Sequence, residues 1–201
     1  MLGKHRKPHL SAFHRVTVQK SGIVPHTALI YANQQDRNRL IESCLERTNT
    51  SWKSVKVLSA QPEADTRVFR GMIRRKGWAR GRCLLSVVDI REPLSEGRNA
   101  VGNIISHTRG ASASAREESP PLVIGDWTHL VYDTFQTALS IEEAEEGMLN
   151  LICCYRGEGF WSLDCKQVTQ ILERHQRVMF GPAVLEMTVR PDAGLPVSMN
   201  S

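Results

Sequence analysis

Several features are missing from this 201-residue chain, and each absence removes a class of protein. No apolar run approaches the ~20 residues of a membrane span. The amino terminus has neither the apolar stretch nor the small-residue cleavage site of a signal peptide. The cysteines, Cys44, Cys83, Cys153, Cys154 and Cys165, show no CxxC spacing. Cys83, Cys153 and Cys154 fall in apolar segments that read as strands, which points to reduced, buried thiols. A cytoplasmic protein is the expectation. Residues 1–20 contain no acid and carry Lys4, Arg6, Lys7, Arg15 and Lys20. Setting those five aside leaves 21 of the 26 basic residues against 21 acidic ones. The net charge of +5 therefore describes an arm, and the body is neutral. No internal repeat is present, which excludes a solenoid.

The chemistry-bearing motifs are absent too. A P-loop needs GxxxxGK[ST], because glycines let backbone N–H groups surround a phosphate while lysine neutralises it. The first strand-to-helix turn reads Tyr31-Ala-Asn-Gln-Gln-Asp-Arg-Asn38, with neither glycine nor lysine. No GxSxG elbow occurs. Gly157-Glu-Gly-Phe160 lacks the third glycine of a dinucleotide fingerprint. No cofactor and no metal is expected.

What is present is alternation of strand and helix. Hydrophobic content of 41% and charge of 23% are globular values. Pro120–Trp127 (PPLVIGDW) organises the chain: Leu122–Ile124 is apolar without alternation, as in a strand covered on both faces. Gly125 reads as a turn residue, and Asp126 and Trp127 follow at the carboxyl end. Leu149–Tyr155 has the same character and ends in Arg156, Gly157 and Glu158. Further strands are expected at His26–Tyr31, Ser54–Leu58, Cys83–Ile90, Val178–Phe180 and Leu185–Val189. Helices are expected at Gln34–Arg47 with Asn33 as N-cap, from Asp65 through Lys76 with Gly77 as stop, and at Thr128–Leu139. A short helix is expected within Gly97–Gly110. Ser140-Ile-Glu-Glu143 and Asp164…Gln167 have capping-box form, each opening a helix. The basic residues Arg67, Arg70, Arg74, Arg75 and Lys76 form either a solvated face or an anion-binding one.

This pattern predicts an α/β fold, a three-layer sandwich around a central, mostly parallel sheet. The domain spans residues 23–190, between a basic arm at 1–22, rich in histidine, and a tail at 191–201. The arm has no periodic apolar face, so its removal should leave the fold intact. Ligands in open α/β sheets bind at the carboxyl edge. The expected ligand-binding residues are therefore Tyr31, Asn33, Asp89, Arg91, Asp126, Trp127, Tyr155, Arg156 and Glu158. Their charges have both signs and either pair with one another or bind. Among isolated residues, Cys153 and Cys154 read as core and His175 as a cap at a helix end.

Gly22-Ile-Val-Pro-His-Thr-Ala-Leu-Ile-Tyr31 resembles the opening of MEDS domains, the methanogen/methylotroph sensory domains, where a Gly-x-His-like entry leads into a short strand and a helix. Gly125-Asp-Trp127 stands where that family has Gly-Glu-aromatic. Glu143-Ala-Glu145 is similar to its Tyr-Glu helix, and Leu151-Ile-Cys-Cys-Tyr155 to its Leu-Cys-x-Tyr strand, with Phe160 following. His175 precedes the next strand as the family's His-Pro does. The match spans residues 22–182, with Asp126 in place of Glu, Ala144 in place of Tyr and Gln176 in place of Pro. The resemblance implies a RecA/KaiC-like fold without the Walker A motif and a sensory role in signal transduction or transcriptional regulation. The residues flanking the domain are too few for an attached output module, so action through a partner or a homodimer is expected. The rival readings are a divergent RecA-like NTPase or hydrolase, and a nucleic-acid binder acting through the basic arm.

Overall fold

A computed structural model describes residues 24–46, 52–77, 83–91, 102, 104–106, 121–133, 135–145, 150–181 and 185–188. The basic arm, the carboxyl tail and most of the 97–110 segment lie outside these residues. The strands are β1 (Thr27–Tyr31), β2 (Ser54–Ser59), β3 (Leu84–Asp89), β4 (Leu122–Asp126), β5 (Leu151–Arg156), β6 (Arg177–Phe180) and β7 (Leu185–Thr188). The helices are α1 (Gln34–Glu46), α2 (Pro62–Arg75), α3 (Thr128–Asp133), α4 (Phe135–Ala144), α5 (Gly157–Phe160) and α6 (Cys165–Leu172). No described helix is long and apolar enough to cross a membrane.

The strands form one sheet in the order β3-β2-β4-β5-β1-β6-β7, and only β7 runs antiparallel to its neighbour. Apolar runs occupy the centre: every residue of β1 is buried, as are the first five of β5. Helices cover both faces. Leu40, Ile41 and Cys44 of α1 join Phe69 and Met72 of α2 over Leu29, Ile124 and Cys154. Leu130, Ala138, Ile141, Phe160 and Ile171 pack on the other face, over Ala28, Ile30, Val123 and Cys153. Cys153 and Cys154, adjacent on a strand, thus enter different layers of the core, as the two-residue period of a strand demands. All five cysteines are free thiols.

The local signals held in part. Asn33 caps α1, its Oδ1 accepting from the backbone N–H groups of Gln35 (2.9 Å) and Asp36 (3.0 Å). Asp164 and Gln167 form a complete capping box on α6. Gly77 takes φ 72° just past α2, the left-handed conformation that stops helices. Two expected helix starts fall elsewhere. α2 begins at Pro62, whose missing N–H costs nothing in a first turn, and Asp65 is buried inside the helix. Ser140 lies within α4 and its hydroxyl donates to the Gln136 carbonyl at 2.8 Å, a bond a helix-interior serine makes when no free N–H is in reach. Gly125 is required by packing, not by a turn. A Cβ there would lie 2.4 Å from the Trp127 indole.

Candidate functional site

Strands β1, β2, β4 and β5 end side by side, and the chain leaves β1 and β2 towards one face of the sheet and β4 and β5 towards the other. A crevice opens where the connections diverge, as expected at the switch point of an open parallel sheet. It encloses about 350 Å³. Tyr31, Asn33, Gln34 and Arg37 line it from β1 and α1, and Ser59, Gln61 and Asp65 from β2 and α2. Asp126, Thr128 and His129 come from β4 and α3, and Arg156 from β5.

Its floor is a hydrogen-bonded network of charges. Arg37, only 3% exposed, forks onto both carboxylate oxygens of Asp65, itself 1% exposed. Gln34 Nε2 donates to the same carboxylate at 3.2 Å. Arg37 Nη1 also donates to Asp126 Oδ2 at 2.8 Å. Tyr31 Oη donates to that oxygen at 3.1 Å. Asp126 Oδ1 accepts from the Thr128 hydroxyl at 2.6 Å and from its backbone N–H at 3.2 Å. Each carboxylate oxygen of Asp126 therefore holds two donors. Burial, then the negative charge of Asp126, pushes the Tyr31 hydroxyl pKa up, so it stays a donor at neutral pH. Burial works against the Arg37 charge, but its bonds to Asp65 together with the charges of Asp65 and Asp126 push the guanidinium pKa up.

Four of the nine expected ligand residues, Tyr31, Asn33, Asp126 and Arg156, line the crevice. Glu158 stands on the surface beside it, with Oε2 3.4 Å from Arg156 Nη2. Asp89 and Arg91 lie at the end of β3, on the sheet edge, and pair with each other instead of reaching the crevice. The Arg91 bonds draw the Asp89 carboxyl pKa down. Trp127 and Tyr155 are each 1% exposed and sit in the core beneath the site. Both lie at the ends of their strands but pack into the core layer with Leu130, Ile141, Phe160 and Ile171. Sequence reading missed the other lining residues, Gln34, Ser59, Ala60, Gln61, Thr128 and His129 among them, and above all the buried pair Arg37 and Asp65. Both lie one turn into helices, where a charge reads as solvated face or cap.

A second polar constellation lies on the α4 face of the sheet, wholly inside the core. His26, Glu142, Cys153 and His175 are each 0% exposed. The His26 and His175 rings lie with centroids 4.3 Å apart at a tilt of 45°, and the Tyr155 ring stands edge-on to His175 at 6.0 Å. Tyr155 Oη donates to Glu142 Oε1. Burial raises the pKa of both the Tyr155 hydroxyl and the Cys153 thiol well above their usual ranges. No protein-family model matches the chain, and no curated protein does.

Proposed function

We propose that the domain is a non-catalytic sensory or ligand-binding module whose ligand, a small polar molecule, sits in the crevice above β1, β2, β4 and β5. The carrying observation is the state of Asp126. A carboxylate at the end of this strand would, in a nucleoside triphosphatase, face magnesium. Here both its oxygens are filled by Arg37, Tyr31 and Thr128. The β1–α1 turn offers an asparagine cap where phosphates would need a glycine cradle and a lysine. What remains is an open cleft with a few placed polar groups, which is how small-molecule sites look.

A RecA/KaiC-like arrangement is part of this reading. It is supported by β1 lying inside the sheet between β5 and β6, with an antiparallel strand at the edge. The MEDS resemblance draws support from another fact. His26, Cys153, Tyr155 and His175, which lie in the stretches carrying it, meet in one cluster with Glu142. The output, in signal transduction or transcriptional control, passes through a partner or a second copy of the chain.

Two measurements test this. Phosphate release from magnesium-ATP and magnesium-GTP should not exceed that of buffer; magnesium-dependent turnover abolished by Asp126→Asn would overturn the reading. A thermal-shift screen of small amines, alcohols, carboxylates and thioethers should find compounds that stabilise the wild type but not a His129→Ala, Arg156→Ala double variant. Equal stabilisation of both proteins by every active compound would place binding elsewhere.

A further inference from the structure

We propose that His26, Glu142, Cys153 and His175 form a buried four-coordinate site for a divalent transition metal, zinc by the character of the donors. Each residue presents one ligand atom, and these atoms all lie within 4.8 Å of one another. His26 Nε2 is 3.4 Å from Glu142 Oε2 and 3.3 Å from Cys153 Sγ, and His175 Nε2 is 3.2 Å from Glu142 Oε2. Around zinc, with bonds of about 2.0–2.3 Å, tetrahedral geometry separates ligand atoms by roughly 3.3–3.6 Å. The measured pairs fall at or just inside that spacing.

The hydrogen-bond inventory points to a cation. His175 Nδ1 lies 2.9 Å from the Ile171 carbonyl oxygen, which can only accept. Nδ1 therefore carries the proton, and Nε2 of the neutral ring has a bare lone pair. That lone pair meets Glu142 Oε2, another acceptor. Neither atom has a hydrogen-bond partner among the described residues, though both are buried. Two acceptors 3.2 Å apart in a dry core repel unless a proton or a metal cation lies between them, and the four converging donors favour the metal. The outer shell is in place for two of the four ligands, while His26 Nδ1 is buried without a hydrogen-bond partner among the described residues. The Ile171 carbonyl fixes the His175 tautomer and Tyr155 Oη holds the other oxygen of Glu142, the kind of bonds that orient metal ligands.

Two imidazoles, a thiolate and a carboxylate suit zinc better than magnesium or calcium, which prefer all-oxygen shells. With four protein ligands and no exposed face, the metal is structural. It ties the entry of β1, α4, the middle of β5 and the α6–β6 junction. Binding expels the Cys153 proton to solvent, since a coordinating thiol is deprotonated. The site lies in the α4-side core, separate from the crevice, and stands or falls independently of the ligand-binding reading.

The test uses the full chain, both as expressed in zinc-supplemented medium and after unfolding and refolding with Co(II) alone. We expect one zinc per chain. With cobalt we expect the intense visible bands of a tetrahedral ion and a near-ultraviolet thiolate-to-cobalt band. Cys153→Ala should lose the thiolate band, whereas Cys165→Ala, at an exposed cysteine, should keep it. Tyr155→Phe should keep the bands while affinity falls about 10–100-fold. If Cys153→Ala fails to fold, the wild-type metal content and the Tyr155→Phe titration decide. No metal uptake by the wild type, an octahedral spectrum, a thiolate band surviving in folded Cys153→Ala, or unchanged affinity in Tyr155→Phe would each overturn the proposal.

Discussion

The crevice and the buried cluster are both built from charged and polar side chains at the sheet, yet they solve opposite problems. In the crevice every carboxylate oxygen of Asp65 and Asp126 has a donor, and the one unpartnered buried atom among these groups is Arg37 Nε. Arg37 stands between two carboxylates, and Tyr31, Gln34 and Thr128 fill the remaining positions. In the cluster, Glu142 Oε2 and His175 Nε2 sit at bonding distance without a bond. A matched network can hold a shape while its rim meets a ligand. An unmatched one in a dry core requires something added. The difference teaches that the number of polar groups in a site says less than whether their donors and acceptors balance.

Breaking Arg37 should have the largest effect on the crevice side of this comparison. Arg37→Met keeps the volume but strands Asp65 in the core, and removing one partner of a buried pair costs roughly 3–5 kcal/mol. For a domain of this size that is about 6–20 °C in melting temperature, at ~2–4 °C per kcal/mol. Thermal and urea unfolding should show it. A loss under about 1 kcal/mol would mean that buried Asp65 does not depend on Arg37 for a partner.

Asp126→Ala should fall below this. It removes one carboxylate, but Arg37 keeps its fork on Asp65. The Tyr31 and Thr128 hydroxyls each lose one partner but still bond each other at 3.1 Å, and the Thr128 backbone N–H loses its acceptor at the crevice. An unsatisfied group costs about 1–3 kcal/mol when buried and less when water can reach it. Unfolding of ligand-free Asp126→Ala beside wild type and Arg37→Met checks this ranking. If Asp126→Ala is as damaging as Arg37→Met, Asp126 is a structural anchor and loses its place among ligand-contacting residues.

The sequence made the sheet legible because its central strands β1, β4 and β5 are buried on both faces and read as apolar runs, while β2 shows alternation. All seven were anticipated within a residue or two. The crevice was half legible for a topological reason: in a parallel sheet the strand ends share an edge, so Tyr31, Asn33, Asp126 and Arg156 followed from strand position alone. Arg37 and Asp65 did not, because helical charges look alike whether they face water or one another. The α2 start at Pro62 was misplaced through the same residue, whose carboxylate was taken for a cap. The buried cluster escaped because its members are far apart in sequence and each has an ordinary reading singly. Cys153 reads as core and His175 as a helix-end partner. One signal was available. His26 has the same strand parity as Ala28 and Ile30, and Cys153 as Tyr155, so polar groups from neighbouring strands had to share a covered face.

The smallest structural effect belongs to Arg156→Ala, which sharpens the comparison most on the functional side. Arg156 lies at the crevice rim, with its side chain 53% exposed and a loose contact to Glu158. An exposed ion pair of this kind contributes little, and a surface truncation away from caps and buried networks changes stability by no more than about 0.5 kcal/mol. The melting temperature without ligand should therefore match the wild type within about 2 °C. If the crevice is the binding site, this variant should still weaken compounds that stabilise the wild type, because an exposed guanidinium at the mouth of a cleft is free to meet an anionic or polar group. Calorimetric titration of one such compound into wild type and Arg156→Ala checks both halves together. Unchanged affinity in a variant of unchanged stability would remove Arg156 from the site and leave His129 and Asn33 as the crevice residues to test next.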